Sequence, residues 1–330
     1  MDSTGRPVPP VETAAGLPSH GGSRMRAGET RRTVQLPGCT MVVRSREDAD
    51  RTLPPALYVH GLGGSSQNWS VLMAELADTV EGEAVDLPGF GDSPPPPDGN
   101  YGLSAHARAV IRHLDAAERG PVHLFGNSMG GAAATRVAAL RPDLVRTLTL
   151  VSPALPELRP QRSALPTALL AVPGTVRLFR RLTGHWSPAD RTRAVLGLCY
   201  GDPSRVASED FRAAVEEYER RLLLPYFWDS LAASARGVVD SYTLGGQHAL
   251  WRQAGRVLAP TLLVYGGRDK LVGFRMARKA CRVFRDSRLL ALPDAGHVAM
   301  MEYPELVAGA FRQLMADSER AGVEATRGTP

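Results

Sequence analysis

Short apolar runs alternate along this chain with longer stretches whose apolar positions recur at helical spacing. Thr33-Val34-Gln35-Leu36 and Thr40-Met41-Val42-Val43-Arg44 flank a Pro37-Gly38 turn and predict a β-hairpin. Leu57-Tyr58-Val59 predicts a strand running into His60-Gly61-Leu62-Gly63-Gly64. A helix follows, from Ser65 or Ser66 as N-cap through Trp69, Leu72, Met73 and Leu76. Glu83 to Asp86 reads as a strand end, and the loop to Ser93 is rich in turn residues and stiffened by Pro94 to Pro97. Ser104 is placed to cap a helix through Val110, Ile111 and Leu114. Pro121 to Phe125 predicts a buried strand, Ala132 to Leu140 a helix stopped by Arg141-Pro142, and Leu148 to Val151 the next strand. Strands and helices in this order predict a parallel sheet with helices on both faces.

The alternation stops after Ser152-Pro153. From Ala154 to about Gly246 the spacing predicts helices only, over about 164–171, 174–183, 188–199, 208–224 and 226–240, with Ser187-Pro188 as an N-cap and first helical residue. Strands resume at Thr261 to Tyr265 and Arg288 to Leu292, with a helix over about 273–284 between them and a terminal helix from about Pro304 to Ala316. The expected organisation is a core over 31–153 and 247–317, interrupted by a helical lid over 154–246. Residues 1–30 and 318–330 are poor in large apolar side chains and are expected to be disordered tails.

Composition narrows the function. Lysine and arginine number 39 against 34 aspartates and glutamates, a net charge of +5, yet lysine occurs only at Lys270 and Lys279. A GC-rich coding bias accounts for that arginine use, and no basic cluster interleaved with aromatics points to nucleic acid. No apolar run approaches the ~18 residues of a membrane span, and Met1-Asp2-Ser3-Thr4-Gly5-Arg6 lacks the start of a secretory signal. Cys39, Cys199 and Cys281 are odd in number and widely spaced, as free thiols in a reducing cytoplasm would be. No His, Cys or Asp cluster has metal-ligand spacing, so neither metal nor cofactor is expected. Within the lid, seven arginines between Arg159 and Arg193 face only Asp190, among apolar residues Leu165, Leu169, Val172, Val176 and Phe179. Ordinary packing explains them, and the alternative is a gate for a lipophilic or anionic substrate or a contact with a membrane surface.

The chemistry concentrates at strand ends. Gly126-Asn127-Ser128-Met129-Gly130 lies between a predicted strand and helix, and a serine with glycine two residues away on each side fits a nucleophile elbow. Asp269 follows the strand ending at Tyr265, and His297 follows the last strand. Strand carboxyl ends of a parallel sheet line one crevice, so Ser128, Asp269 and His297 can meet. Glu157 is a rival acid. His60 is placed to shape its loop rather than to transfer protons, while His106, His113, His123 and His248 lack a nearby nucleophile, and Ser152 lacks an elbow.

Taken in order, His60-Gly61-Leu62-Gly63-Gly64, Asp86-Leu87-Pro88-Gly89-Phe90-Gly91-Asp92-Ser93, the elbow, Gly267-Arg268-Asp269 and Gly296-His297 resemble the α/β-hydrolase superfamily over roughly residues 32 to 316. The resemblance implies the α/β-hydrolase fold and acyl transfer, with Ser128 as nucleophile, His297 as base and Asp269 as its partner. It implies an oxyanion hole made by the backbone amides of Met129 and Leu62, with Gly63 the alternative if the turn is shifted. Serine at the elbow argues against haloalkane dehalogenases and epoxide hydrolases, which carry aspartate there. The segment from Gly126 to Gly131 is similar to the elbow of carbon–carbon hydrolases acting on dienoates, and lid arginines would suit their carboxylates. Those enzymes usually have Gly-Pro-Gly in the first loop and tryptophan after the catalytic histidine, where Gly63-Gly64-Ser65 and Val298 stand here. A carboxylic ester or related acyl hydrolase is therefore the leading expectation, with a small lipophilic acyl substrate. A non-catalytic, ligand-binding member of the fold is the second class of reading. Trp186, Tyr200, Tyr226, Phe227, Trp228 and Trp251 are candidates to line the substrate pocket.

Overall fold

A computed structural model describes residues 25–157, 160–243 and 245–327. Eight strands form one sheet: β1 (Glu29–Leu36), β2 (Cys39–Arg46), β3 (Pro55–Val59), β4 (Glu81–Asp86), β5 (Val122–Asn127), β6 (Val145–Val151), β7 (Thr261–Gly266) and β8 (Ser287–Leu292). Their order across the sheet is β1-β2-β4-β3-β5-β6-β7-β8. β1 and β2 form an antiparallel hairpin, β2 pairs antiparallel with β4, and every other pairing is parallel. Helices α1 (Ser70–Glu75), α2 (Leu103–Ala117) and α3 (Met129–Leu140) connect the strands up to β6. Between β6 and β7 come α4 (Leu165–Leu169), α5 (Thr175–Leu182), α6 (Pro188–Cys199), α7 (Ser208–Leu222), α8 (Phe227–Thr243) and α9 (Leu250–Ala254). α10 (Arg275–Val283), α11 (Ala299–Glu302) and α12 (Pro304–Arg327) complete the chain.

The alternation of side chains along a strand builds two apolar layers. Leu57, Val59, Leu124, Leu263 and Tyr265 face residues of α2, α3, α9 and α10. Their neighbours Ala56, Tyr58, Phe125, Leu262 and Val264 face α1, α11 and α12. The central strands β5 and β7 are buried from end to end. That is why they read as continuous apolar runs, and why the functional loops leave from a rigid edge.

Four boundaries differ from the sequence expectation. The tail expected over residues 1–30 overlaps β1, which already begins at Glu29. Glu29 is held there by the buried Arg44 guanidinium at 2.5 Å. The tail over 1–24 lies outside the described residues. The tail expected over 318–330 is helical as far as Arg327. Its residues are mostly helix formers, Asp317 pairs with Arg288 and Arg320, and Ser318 Oγ donates to Leu314 O at 2.8 Å. Residues 328–330 lie outside the described part. Helix α2 is capped at Gly102 rather than Ser104, whose hydroxyl accepts from Arg136 instead. The short α9, which no periodicity announced, buries Leu250 and Ala254 beside α3.

One ion-paired carboxylate makes the fold sensitive to acid. Glu83 on β4 bonds Arg32 at 2.7 Å and His113 at 3.2 Å. Burial alone would raise its carboxyl, but His113 and Arg32 outweigh it and hold the group at about 2, against an ordinary 4.5. The folded value lies below the unfolded one, so this stabilisation is complete above pH 4.5 and is lost as the pH falls towards about 2. Glu83→Gln is expected to lower unfolding free energy at neutral pH by about 2–3 kcal/mol. Urea unfolding across the acid range should then show a shallower pH dependence for the variant, and parallel curves would refute the assignment.

Candidate active site

Ser128 alone turns the chain from β5 into α3, at φ 52° and ψ −117°. A non-glycine residue at positive φ is strained, and the surrounding backbone holds it there. Ser128 N–H donates to Val151 O at 3.1 Å, while its carbonyl accepts from Ala154 N at 2.9 Å and Ala132 N at 3.0 Å. Glycine is compulsory on both sides. A Cβ on Gly126 would lie 2.6 Å from Gly130 O, and one on Gly130 would lie 2.3 Å from Val59 O and 2.4 Å from His60 O.

Asp269 lies beyond β7 and His297 beyond β8, and the fold brings the two together. His297 Nδ1 is 2.9 Å from Asp269 Oδ2, and both side chains are buried. Asp269 Oδ1 accepts from the amides of Leu271 at 2.8 Å and Val272 at 3.0 Å. Burial alone would raise the Asp269 carboxyl, but His297 and the Val272 amide outweigh it and hold the group below its ordinary range. A carboxylate accepts only, so the proton sits on Nδ1 and Nε2 keeps its lone pair. The rival acid, Glu157, pairs with Arg275 at 2.7 Å instead. His297 is also fixed through its backbone. Its N–H donates to Cys199 O at 2.7 Å, and its carbonyl accepts from Asn127 Nδ2 at 3.0 Å.

The loop after β3 is ordered by His60. Leu87 N–H donates to His60 Nε2 at 3.0 Å, so Nδ1 carries the proton and donates to Gly61 O at 2.7 Å. Complete burial lowers this imidazole to about 3, which keeps it neutral as both bonds require. Gly61 O also accepts from Gly64 N at 3.0 Å. In a planar trans peptide the C=O and N–H point opposite ways, so anchoring Gly61 O turns Leu62 N–H away from His60. The Met129 amide starts α3 and has no helical acceptor. Leu62, Met129, Ser128 and His297 line one cavity of about 1090 Å³. A serine on an elbow, a histidine held by a buried carboxylate and two amides at one cavity are the groups that acyl transfer uses.

The sequence model of the alpha/beta hydrolase fold matches residues 54–304. The chain belongs to the alpha/beta hydrolase family. It is 31% identical over 266 residues to a dihydrolipoyllysine-residue acetyltransferase component of the acetoin cleaving system of Pseudomonas putida, covering 77% of this chain but only 61% of that protein. It is 27% identical to a pimeloyl-[acyl-carrier protein] methyl ester esterase of Neisseria meningitidis, over 82% of this chain and 96% of the esterase. Identity to the 2-hydroxy-6-oxo-6-(2'-aminophenyl)hexa-2,4-dienoic acid hydrolase of Metapseudomonas resinovorans is 27%, over 81% and 87% of the two chains. Among solved structures, a putative lipase of Acinetobacter baumannii superposes with a TM-score of 0.73 at 20% identity, over 89% of this chain and 93% of the lipase.

In this alpha/beta hydrolase the cavity wall is largely aliphatic. Ala164 comes from just before α4, Ala168 from α4, Val195 and Leu196 from α6, Ala213 and Ala214 from α7, and Val238 and Val239 from α8. Of the six aromatic candidates only Tyr200 lines it. Phe227 packs on Trp228 at 5.1 Å, and Trp251 lies under Lys279 at 4.0 Å. Arg162, Arg177, Arg180, Arg181, Arg191 and Arg193 also stay off the wall, and Arg159 lies outside the described residues. His106 bonds Ser234 and His123 bonds Thr147, while His248 is exposed on the surface. Among the described residues no His, Cys, Asp and Glu group could hold a metal, and no helix is long and apolar enough to cross a membrane.

Sequence reasoning missed what Asn127 does. Its buried amide spans Val151 O at 3.1 Å and His297 O, tying β6 to the histidine loop across β5. A polar residue at the end of a fully buried strand, just before the elbow serine, is the signal that could have found it. Asn127→Ala removes the donor from His297 O, leaves Val151 O with the Ser128 N–H alone, and is expected to cost about 1–3 kcal/mol of stability. Calorimetry should show the loss, and an unchanged melting temperature would mean water replaces the amide.

Proposed function

We propose that this hydrolase cleaves a carboxylic ester or related acyl bond through an acyl-enzyme. The observation that carries the reading is His297, paired with Asp269, on the wall of the cavity that Ser128 lines. Ser128 Oγ attacks the acyl carbon while His297 Nε2 takes its proton, and Asp269 stabilises the imidazolium. The carbonyl oxygen becomes an oxyanion received by the amides of Leu62 and Met129. As the tetrahedral intermediate collapses, His297 returns the proton to the leaving alcohol. Water, deprotonated by His297, then attacks the acyl-enzyme and releases the acid. Residues 154–246 act as a lid in this reading, since α4, α6, α7 and α8 supply much of the wall. The aliphatic lining supports a lipophilic acyl group.

Hydrolysis of a carbon–carbon bond in a dienoate is the second reading, favoured by the Metapseudomonas relative. It needs a cation for the substrate carboxylate. The cavity's own arginines are engaged elsewhere: Arg26 with Asp210, Arg205 over the Tyr303 ring and Arg221 with Glu217. That engagement supports the ester over the dienoate. A non-catalytic ligand-binding role is the third possibility that the tests address.

A fluorophosphonate probe is expected to label the wild type and leave Ser128→Ala unlabelled, and labelling of both would end the nucleophile assignment. In a panel of p-nitrophenyl esters of increasing acyl length plus a dienoate, esters should turn over and the dienoate should not. His297→Ala and Asp269→Asn are expected to reduce kcat by roughly 10⁴-fold.

A further inference from the structure

We propose that Arg221, on α7, is the positioning residue that holds the Leu62 amide in place as an oxyanion donor. The proposal rests on the acyl-transfer reading above and adds a residue from the helical segment to its machinery. Arg221 lies 158 residues from the first loop in sequence, yet its Nη1 donates to Gly63 O at 2.6 Å. Nη2 donates to Ser65 Oγ at 2.9 Å, and Nε donates to Glu217 Oε1 at 2.6 Å. The guanidinium thus grips the loop at two points while a buried carboxylate fixes its own plane.

Two peptide planes carry the effect to Leu62. Drawing Gly63 O towards α7 turns the N–H of the same peptide, that of Gly64, the opposite way. That N–H donates to Gly61 O at 3.0 Å. Gly61 O, held also by His60 Nδ1 at 2.7 Å, fixes the Gly61–Leu62 peptide, whose N–H is the proposed donor. The loop has little intrinsic preference for this shape. It contains Gly61, Gly63 and Gly64, and Gly63 sits at φ +69°. Glycine leaves the unfolded and misdirected conformations open, so an external clamp decides the geometry. His60 supplies one half of the clamp and Arg221 the other.

The neighbouring arginine is the natural control. Arg220 bonds the same Glu217 at 2.8 Å, but its other contacts are Asp92 at 3.1 Å and Gly91 O at 3.2 Å, on a different loop. Arg220 and Arg221 therefore share burial, helix and carboxylate and differ in which loop they hold.

The experiment compares Arg221→Met, Arg221→Lys and Arg220→Met with the wild type on a turned-over ester. Arg221→Met is expected to lower kcat by about 10–100-fold with KM within about threefold, because a loosened donor costs less than the ~10²–10³ of a deleted one. Arg221→Lys, which reaches Gly63 O but cannot fork, should fall between. Inhibition by a trifluoromethyl ketone, which forms an oxyanion on Ser128, should weaken in Arg221→Met by the same factor as kcat/KM. Inhibition by the matching methyl ketone should not change. Arg220→Met should lower the melting temperature with kcat within about twofold. The proposal is overturned if Arg221→Met keeps kcat within about twofold, if both ketones weaken equally, or if Arg220→Met reproduces the loss. Should Arg221→Met fail to fold, Arg221→Lys and Arg221→Gln carry the same comparison. Ester turnover that survives in Ser128→Ala would refute the acyl-transfer reading itself and is read separately.

Discussion

The backbone around Ser128 is packed so closely that only one path exists through the elbow. Gly130 rests on the carbonyls of Val59 and His60, and Gly126 rests on Gly130 itself, with no room for a methyl group at either. These contacts bind the end of β3 to the start of α3 and leave Ser128 at its positive φ. The strain is small beside the packing that imposes it. What the fold gains is a side chain projecting from a turn that cannot relax. The same contacts hold the His60 loop beside the elbow, so the Leu62 amide and Ser128 share one frame.

Two histidines near that frame show how environment sorts identical side chains. His60 is wholly buried between an amide donor and a carbonyl acceptor, and burial keeps it neutral. It serves as a polar strut between the first loop and Leu87. His297 is also buried, but it faces a carboxylate whose other oxygen is committed to two amides. A carboxylate in that position supports the imidazolium form that general-base catalysis must pass through. Residue type alone would not have separated the two roles, since each imidazole spends its Nδ1 on a protein oxygen. The chemistry of that oxygen separates them.

Much of this was legible in the sequence, for physical reasons. β3, β5, β6 and β7 are buried on both faces and so read as apolar runs. The elbow needs glycines at fixed offsets, and Asp269 and His297 sit just past strands of that kind. Local signals were weaker where a distant partner decides the outcome. Glu29 reads as a polar tail residue until Arg44 is known to lie beneath it. Ser104 offers a plausible cap, yet Arg136 claims its hydroxyl. Of the aromatics between β6 and β7, Tyr200, Tyr218 and Tyr242 line the cavity, while Phe179, Phe227 and Trp228 pack on one another. Arg221 was one arginine among many, with an i, i+4 glutamate as its only local mark.

The helical segment between β6 and β7 does more than cover the cavity. Its Cys199 carbonyl takes the His297 amide, and Gln161 Nε2 donates to Asp269 O at 2.7 Å. Glu302 binds Gly201 N at 2.9 Å on one side and Gly296 N at 2.7 Å on the other, joining the end of α6 to the histidine loop. Arg221 reaches the first loop. Each bond is worth only about 1 kcal/mol net, but together they touch the first loop, the Asp269 loop and the His297 loop. Displacing α6 or α7 as a rigid cover would disturb those loops at the same time as it opened the cavity. α5 is different: its residues are exposed or half-exposed throughout, and its side chains meet the rest of the segment where Phe179 packs on Trp228 and Thr175 Oγ1 donates to Leu169 O and Val172 O. The segment therefore divides into a part bonded to the first, Asp269 and His297 loops and a part that neither bonds them nor lines the cavity, and local opening should cost less in the second.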